Sequence, residues 1–481
     1  MIILALIILL LRGLDGVYIG FVITAPLFVT YIATIPLGET VLRTSYLFSV
    51  LFIAVFVSSE TVKKIKASRE VEVKNERLYF RKDLIPIYFF LLVISASLFM
   101  PFFLHNDVNV ISFQSSVGLV DRIEFERLKF RQSNLTQLIY PLFQIILLSC
   151  LVTYISNIKT IRRTIDLLIK GSIIVFVTGL LHIILVQIGG LEILSGIRLV
   201  ISGNAEFKSS ADRGLFSLAR MHSWAGEPGY TSFLFLAILG IGLGGVLTEN
   251  YKIFKSKYHV ITISLLFFIG IFLSAGTTGY AGITILFSLA YIATYAIPQS
   301  HLKIKRLYLI ISAGGLVILF VVLSLLTGFS FFGYFQEQHV SKLTELSGSG
   351  LVRFTIVAQN FQNFLESPIL GLGYGSERSL ALSAFLLSNT GLAGFLSFNF
   401  FGLVLMKKMW DIMKSSFASA DQRTLALGLF ISFGTMFTLM QFAKSESSLL
   451  FHYFWIIAAC MLALHRIYKS QKKALINASH Y

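Results

Sequence analysis

The chain has 481 residues, 56% of them hydrophobic and 13% charged, with a mean hydropathy of +0.79; a water-soluble domain carries roughly a quarter of its residues charged, so that class is excluded. A formal net charge of +16 would suit nucleic acid, but the Lys and Arg are scattered through short connections and leave no basic domain to hold a duplex. The only cysteines, Cys150 and Cys460, both fall in apolar runs, so neither a disulfide framework nor a thiolate metal site is readable.

Apolar stretches long enough to cross about 30 Å of hydrocarbon as helices recur along the chain. They predict spans near 1–11, 17–38, 43–59, 85–103, 135–156, 167–187, 229–248, 259–275, 280–297, 307–327, 381–405, 425–441 and 449–467. The fold class is therefore all-α, a polytopic transmembrane helical bundle of 12–13 spans, because barrel strands would alternate polar and apolar residues instead. Residues 1–11 lack a basic leading region and a small-residue cleavage site, so they read as a short first helix or an interfacial segment and not as a cleaved signal.

The 60–84 connection carries Lys63, Lys64, Lys66, Arg69, Lys74, Arg77, Arg81 and Lys82. Placed in the cytoplasm, it brings the other basic connections there by alternation, including Arg162 and Arg163, Lys407 and Lys408, and the tail from Arg466. Three long polar segments, 104–134, 188–228 and 328–380, then face outward. They keep aromatic residues and turn signals, which predicts a partly helical extracytoplasmic cap on one membrane-embedded domain spanning 1–481. The spans hold few ionisable groups; His182 and His452 are the main ones and read as residues hydrogen-bonded by neighbouring helices. An ion-coupled transporter or a flippase would keep charge near the midplane, so chemistry is expected at the outer face.

Outward-facing cations are mostly Arg, whose planar fork suits phosphate oxygens better than Lys. Arg122, Arg127 and Arg131 lie among Asp121, Glu124 and Glu126 and read as partners of those carboxylates. In "ARMHSWAGEPGYTSF", residues 219–233, Pro228 starts a helix and leaves Glu227 at its N-terminus. A carboxylate there can serve simply to cap the helix. Arg220, His222, Trp224 and Glu227 together, however, supply a cation, a titratable ring, a stacking surface and a carboxylate, the inventory of a sugar site. In "SGSGLVRFTIVAQNFQNFLESPILGLGYGSERSL", residues 347–380, Val357, Phe361, Phe364 and Leu365 fall at helical spacing and predict a short amphipathic helix on the outer membrane surface. Arg353 lies on that stripe and is expected to point to the apolar side or into a cavity there. Pro368 stops the helix, and Gly371, Gly373 and Gly375 permit a tight return into the next span.

The order "GEPGY" at the start of a span, "FLSAGTTGYAG" across a tight turn, then an Arg with an amphipathic helix, "SPILGLGYG" and "SNTGLAGFLSFNFFGLVL" resembles the O-antigen polymerase and ligase superfamily over about residues 220–410. The resemblance implies a membrane-embedded glycosyltransferase of the bacterial cytoplasmic (inner) membrane that joins undecaprenyl-diphosphate-linked oligosaccharide repeat units at the outer leaflet. It implies a flippase and a chain-length regulator as companions and requires no cofactor. Arg220 and Arg353 match the arginines of its two large external loops. With Glu227 they form the expected catalytic set, and Arg213, His222, Trp224, Tyr374 and Arg378 are the expected substrate-binding residues. The ligase branch places a His before "TGLAGF", and "GSERSLALSAFLLSNTG" has none, which favours repeat-unit polymerisation over ligase-type glycan transfer.

Such a reaction needs positive charge on the departing diphosphate and a base, Glu227 or His222, for the acceptor hydroxyl. The outer loops show no Asp-x-Asp pair and no His cluster at ligand spacing, so metal independence is expected.

Overall fold

The computed structural model describes residues 2–28, 30–35, 40–69, 82–104, 108–112, 123–190, 192–193, 219–274, 276–297, 348–443 and 449–478. Among these residues the chain is an all-α bundle with two short antiparallel hairpins. In chain order its elements are α1 (Ile2–Thr24), β1 (Tyr31–Ile35), β2 (Thr40–Arg43), α2 (Thr44–Arg69), α3 (Ile85–Ser97), β3 (Asn109–Ile111), β4 (Phe125–Arg127), α4 (Gln132–Tyr154) and α5 (Ile158–Gln187). They continue with α6 (Pro228–Thr248), α7 (Lys257–Ser274), α8 (Thr277–Ala293), α9 (Gly348–Glu366), α10 (Leu382–Lys414), α11 (Ala420–Ala443) and α12 (His452–Ala478). Nine of the described helical segments, those of α2 to α8, α10 and α11, are long and apolar enough to cross a membrane. The protein is therefore a multi-pass membrane protein. The span predicted at 307–327 lies outside the described residues.

One expected span is corrected. Residues 17–38 do not form a single helix: α1 ends at Thr24, and β1 pairs with β2 with Thr34 opposite Val41. Pro26 cannot donate a helical N–H, and the run after it is rich in β-branched Thr, Ile and Val, which lose side-chain freedom in a helix but suit a strand. Within α1, Gly13 at φ 55° breaks the helix, separating the first apolar segment from the one that follows.

The centre of the bundle is set by small residues. The apolar windows of α6 and α11 are 83% and 89% buried, against 28% for α2, which makes α6 and α11 the inner pair. Lipid tails are as apolar as Leu, so close packing and not the hydrophobic effect decides which helices meet. Gly240 and Gly244, one turn apart on α6, press onto the backbone of Ser432 and Gly428 on α11. A Cβ at Gly244 would stand 2.6 Å from the Gly428 Cα and N, whereas one at Gly242 would meet only the Ser264 hydroxyl, at 2.6 Å. Gly244→Ala is therefore expected to cost about 1–3 kcal/mol in overpacking. Gly242→Ala should cost less, because a side chain can turn aside and a backbone cannot. Thermal unfolding of the two variants in detergent checks the order, and equal midpoints would refute it.

One end of the bundle is basic and cross-linked by polar contacts. Arg163 grips Asp15 with two hydrogen bonds of 2.6 and 2.7 Å, and Arg466 donates to the Ile155 carbonyl at 2.7 Å. Arg162 pairs with Asp421, whose other oxygen accepts from the Asn250 amide at 2.8 Å. At the opposite end α2, α6 and α12 begin side by side: Phe28 lies 6.0 Å from Tyr230 and 4.8 Å from Phe451 between ring centroids. The polar segments singled out in the sequence lead into the helices that start at this end.

Candidate functional site

Residues 219–230 are fastened as a cap on three helices. Met221 is fully buried against the notch at Gly179 of α5, and its N–H donates to the Leu273 carbonyl at the end of α7 at 2.9 Å. The Trp224 N–H donates to Thr178 at 3.5 Å. Ser223 and Gly226 bridge to each other through both backbone groups, and the turn needs Gly226 because its φ is 115°. The Ser223 hydroxyl meets that of Thr231 at 2.7 Å, and the Ser232 hydroxyl bonds that of Ser274, tying the start of α6 to this cap and to α7.

This arrangement brings four expected site residues onto one short rigid piece. Arg220, His222 and Trp224 are partly buried, with the His222 ring 5.1 Å from that of His182 and the His222 N–H donating to His182 Nδ1 at 3.4 Å. Glu227 is the N-cap residue of α6, and its carbonyl accepts from Tyr230 and Thr231 at 2.9 and 3.1 Å. Its side chain, however, is exposed and makes no capping hydrogen bond. A side-chain cap hydrogen bond therefore does not account for a carboxylate at this position. Arg213 lies outside the described residues.

The second stretch forms α9 and a return loop that crosses a break in α10. At Gly391 the helix is interrupted with φ 62° and ψ −164°. The groups freed there are taken by the loop: Leu372 and Gly373 donate to the Ser388 and Asn389 carbonyls at 2.7 and 3.1 Å. In turn Leu392 and Ala393 donate to the Pro368 and Ile369 carbonyls at 2.8 and 3.1 Å. This exchange satisfies the backbone polar groups that a broken membrane helix would otherwise leave unpaired.

The amphipathic helix expected in this stretch is present as α9. The face of α9 that packs on protein is Val352, Ile356, Asn360 and Asn363, whereas Phe354, Phe361 and Leu365 are exposed. Arg353 is exposed as well, beside Phe354; α9 packs on α10 and β3. Tyr374 is 2% exposed, with its ring edge-on to Phe385 and its carbonyl accepting from Asn134 of α4, so its side chain is held within the packing. Arg378 is partly buried, and its N–H donates to the Ile111 carbonyl at 3.1 Å. Arg131 does pair with Glu126 as expected.

Two residues of interest escape sequence reading. Glu377 is fully buried; its Oε1 accepts from Asn363 at 2.6 Å, and its N–H donates to Asn389 Oδ1 at 2.9 Å. Burial raises its carboxyl to about 7, against the opposing hydrogen bonds of Asn360, Asn363 and Ser388. Arg43, at the end of β2, stacks 3.6 Å from the centre of Phe28, next to the start of α6. No local pattern marks either residue, because the partners come from distant parts of the chain.

The chain matches no protein-family model and no curated protein.

Proposed function

We propose that this protein is a membrane-embedded glycosyltransferase that polymerises undecaprenyl-diphosphate-linked oligosaccharide repeat units at the outer leaflet of a bacterial cytoplasmic membrane. The observation that carries the reading is Glu227, an exposed carboxylate at a helix start that makes no cap hydrogen bond and is carried on the same short segment as His222 and Arg220. The basic end of the bundle, with Arg162, Arg163 and Arg466, supports placing that end in the cytoplasm and the Glu227 end outside. The order of motifs over 220–410 supports the superfamily.

In this mechanism the acceptor sugar hydroxyl attacks the anomeric carbon of the donor unit. A new glycosidic C–O bond forms, the bond from that carbon to the diphosphate oxygen breaks, and the electron pair leaves with the lipid diphosphate. Glu227, or His222 through the same opening, receives the hydroxyl proton. Arg220 neutralises charge on the departing oxygens in a partly dehydrated setting, where a guanidinium acts more strongly than in water. Arg353, on the exposed apolar side of α9, meets the diphosphate headgroup as the lipid arrives along the membrane.

Chromosomal Glu227→Gln and His222→Gln variants, followed by gel analysis of surface glycan, test this reading. One of the two should collapse the ladder to single repeats, with polymer reduced about 100-fold or more. A normal ladder in the double variant would overturn the assignment. Accumulation of unattached full-length polymer would point to a ligase, and loss of all exported units to a flippase.

A further inference from the structure

A guanidinium with one buried, unpaired nitrogen sits where three helices begin. Arg43 immediately precedes α2, Tyr230 lies in the first turn of α6, and Phe451 immediately precedes α12. The rings of Phe28, Tyr230 and Phe451 meet at 4.8 to 6.0 Å, and the Arg43 guanidinium lies over that of Phe28. Arg43 Nη1 is buried and has no hydrogen-bond partner among the described residues. The same holds for His452 Nε2 and Tyr453 Oη at the start of α12; the other imidazole nitrogen of His452 is already held by the Gln144 amide at 3.1 Å. Among the described residues of these three helix starts the carboxylate is Glu227, which is exposed and pairs with none of them.

The chemistry of that junction is one-sided. Helix N-termini carry partial positive charge, and three converge here, among the described residues, on a full positive charge stacked on the Phe28 ring. An unmade hydrogen bond to a buried charged donor is costly, so the missing component is an acceptor with negative charge and more than one oxygen. Arg43 is only partly buried, which leaves it reachable from the end of the bundle where Glu227 lies. Gly226 packs against the Tyr230 ring, so the Arg43 junction and the Arg220–Glu227 cap share a wall. We infer that this junction binds the phosphate oxygens of a membrane-anchored diphosphate, with Arg43 as the principal ligand. The inference rests on the polymerase reading for the identity of the lipid, and it supplies the second guanidinium that Arg353, facing outward from α9, does not.

The test uses the full chain in phosphatidylcholine nanodiscs, with farnesyl diphosphate as probe, farnesol and inorganic pyrophosphate as comparisons, and Arg43→Gln, Arg43→Lys and Arg220→Gln variants whose unfolding midpoints are measured alongside. The wild type should bind farnesyl diphosphate in preference to farnesol. Arg43→Gln should weaken that binding roughly ten-fold or more, the loss anticipated for a charge-assisted hydrogen bond, with Arg43→Lys between the two. Should Arg43→Gln not fold, a folded Arg43→Lys that binds as tightly as wild type overturns the inference by itself. Unchanged binding in Arg43→Gln with weakened binding in Arg220→Gln would refute the Arg43 site and leave the polymerase reading standing. No preference for diphosphate over farnesol in the wild type would refute the reading itself and the inference with it. Arg43-dependent stabilisation by phosphatidylglycerol nanodiscs that farnesyl diphosphate does not compete away would assign the junction to bulk lipid headgroups and overturn the diphosphate assignment.

Discussion

Gly391→Ala should destabilise the protein by more than about 3 kcal/mol, read as a lowered unfolding midpoint in detergent and poor yield from the membrane. Two effects add at this position. The backbone at φ 62° and ψ −164° lies in a region open essentially to glycine alone. A Cβ there would also stand 2.3 Å from the carbonyl carbon and oxygen of Ile369, and the opposing Gly371 is equally tight, its Cβ falling 2.3 Å from the Thr390 nitrogen. The chain cannot relieve the strain by healing the helix, because Pro368, Ile369, Leu372 and Gly373 already occupy the hydrogen-bonding groups on both sides of the break. Gly13→Ala separates the two effects: Gly13 also has positive φ, at 55°, but nothing lies within 4 Å of a Cβ placed there. It should cost about 1–2 kcal/mol, the backbone part alone. If Gly391→Ala proves no worse than Gly13→Ala, the crossing loop is not the constraint described.

The membrane spans are largely legible in the sequence because a run of about twenty apolar residues finds its natural solvent in hydrocarbon, and α2 to α8, α10 and α11 fall where hydropathy puts them. The run at 17–38 misleads for the same reason: hydropathy does not distinguish a β-branched hairpin beyond Pro26 from a continuing helix. The amphipathic helix α9 is legible too, but which face meets protein is not. In water the greasy stripe would pack inward; at a membrane it can stay outside, so Phe361 and Leu365 are exposed while Asn360 and Asn363 turn in toward Glu377 and the β3 strand. Arg353 is exposed along with that stripe. The lone histidine His452 is held by Gln144 of α4, as a buried imidazole in a helix bundle should be. The cap at 219–230 is readable because its chemistry is local in sequence. Arg43 and Glu377 are not, since each is defined by neighbours brought from other parts of the chain.

Glu377→Gln should remove a pH dependence of stability that the wild type shows between pH 4.5 and about 7. Glu377 joins α9, through its carboxyl and Asn363, to the broken helix α10, through its backbone and Asn389, and Arg378 beside it bonds the Ile111 carbonyl of β3. Asn360 also lies beside the carboxyl, yet its Oδ1 and the Glu377 Oε2 are both buried without a hydrogen-bond partner among the described residues. A proton on Oε2 supplies the donor that these two acceptors lack, and burial drives the carboxyl in the same direction, raising it from the ordinary 4.5 to about 7. The folded chain thus holds this proton more tightly than the unfolded one. Stability from Glu377 is complete below pH 4.5, falls as pH rises toward 7, and is lost above it, a change of roughly 3 kcal/mol if the shift is fully expressed. Glutamine keeps the shape and the donor without the charge, so Glu377→Gln should match the wild type near pH 4.5 and exceed it at about pH 8. Unfolding midpoints of both proteins across that range decide the matter. A wild-type slope retained in Glu377→Gln would place the titrating group elsewhere, and a variant weaker than wild type at the alkaline end would mean that the carboxylate itself is what holds Asn363 of α9.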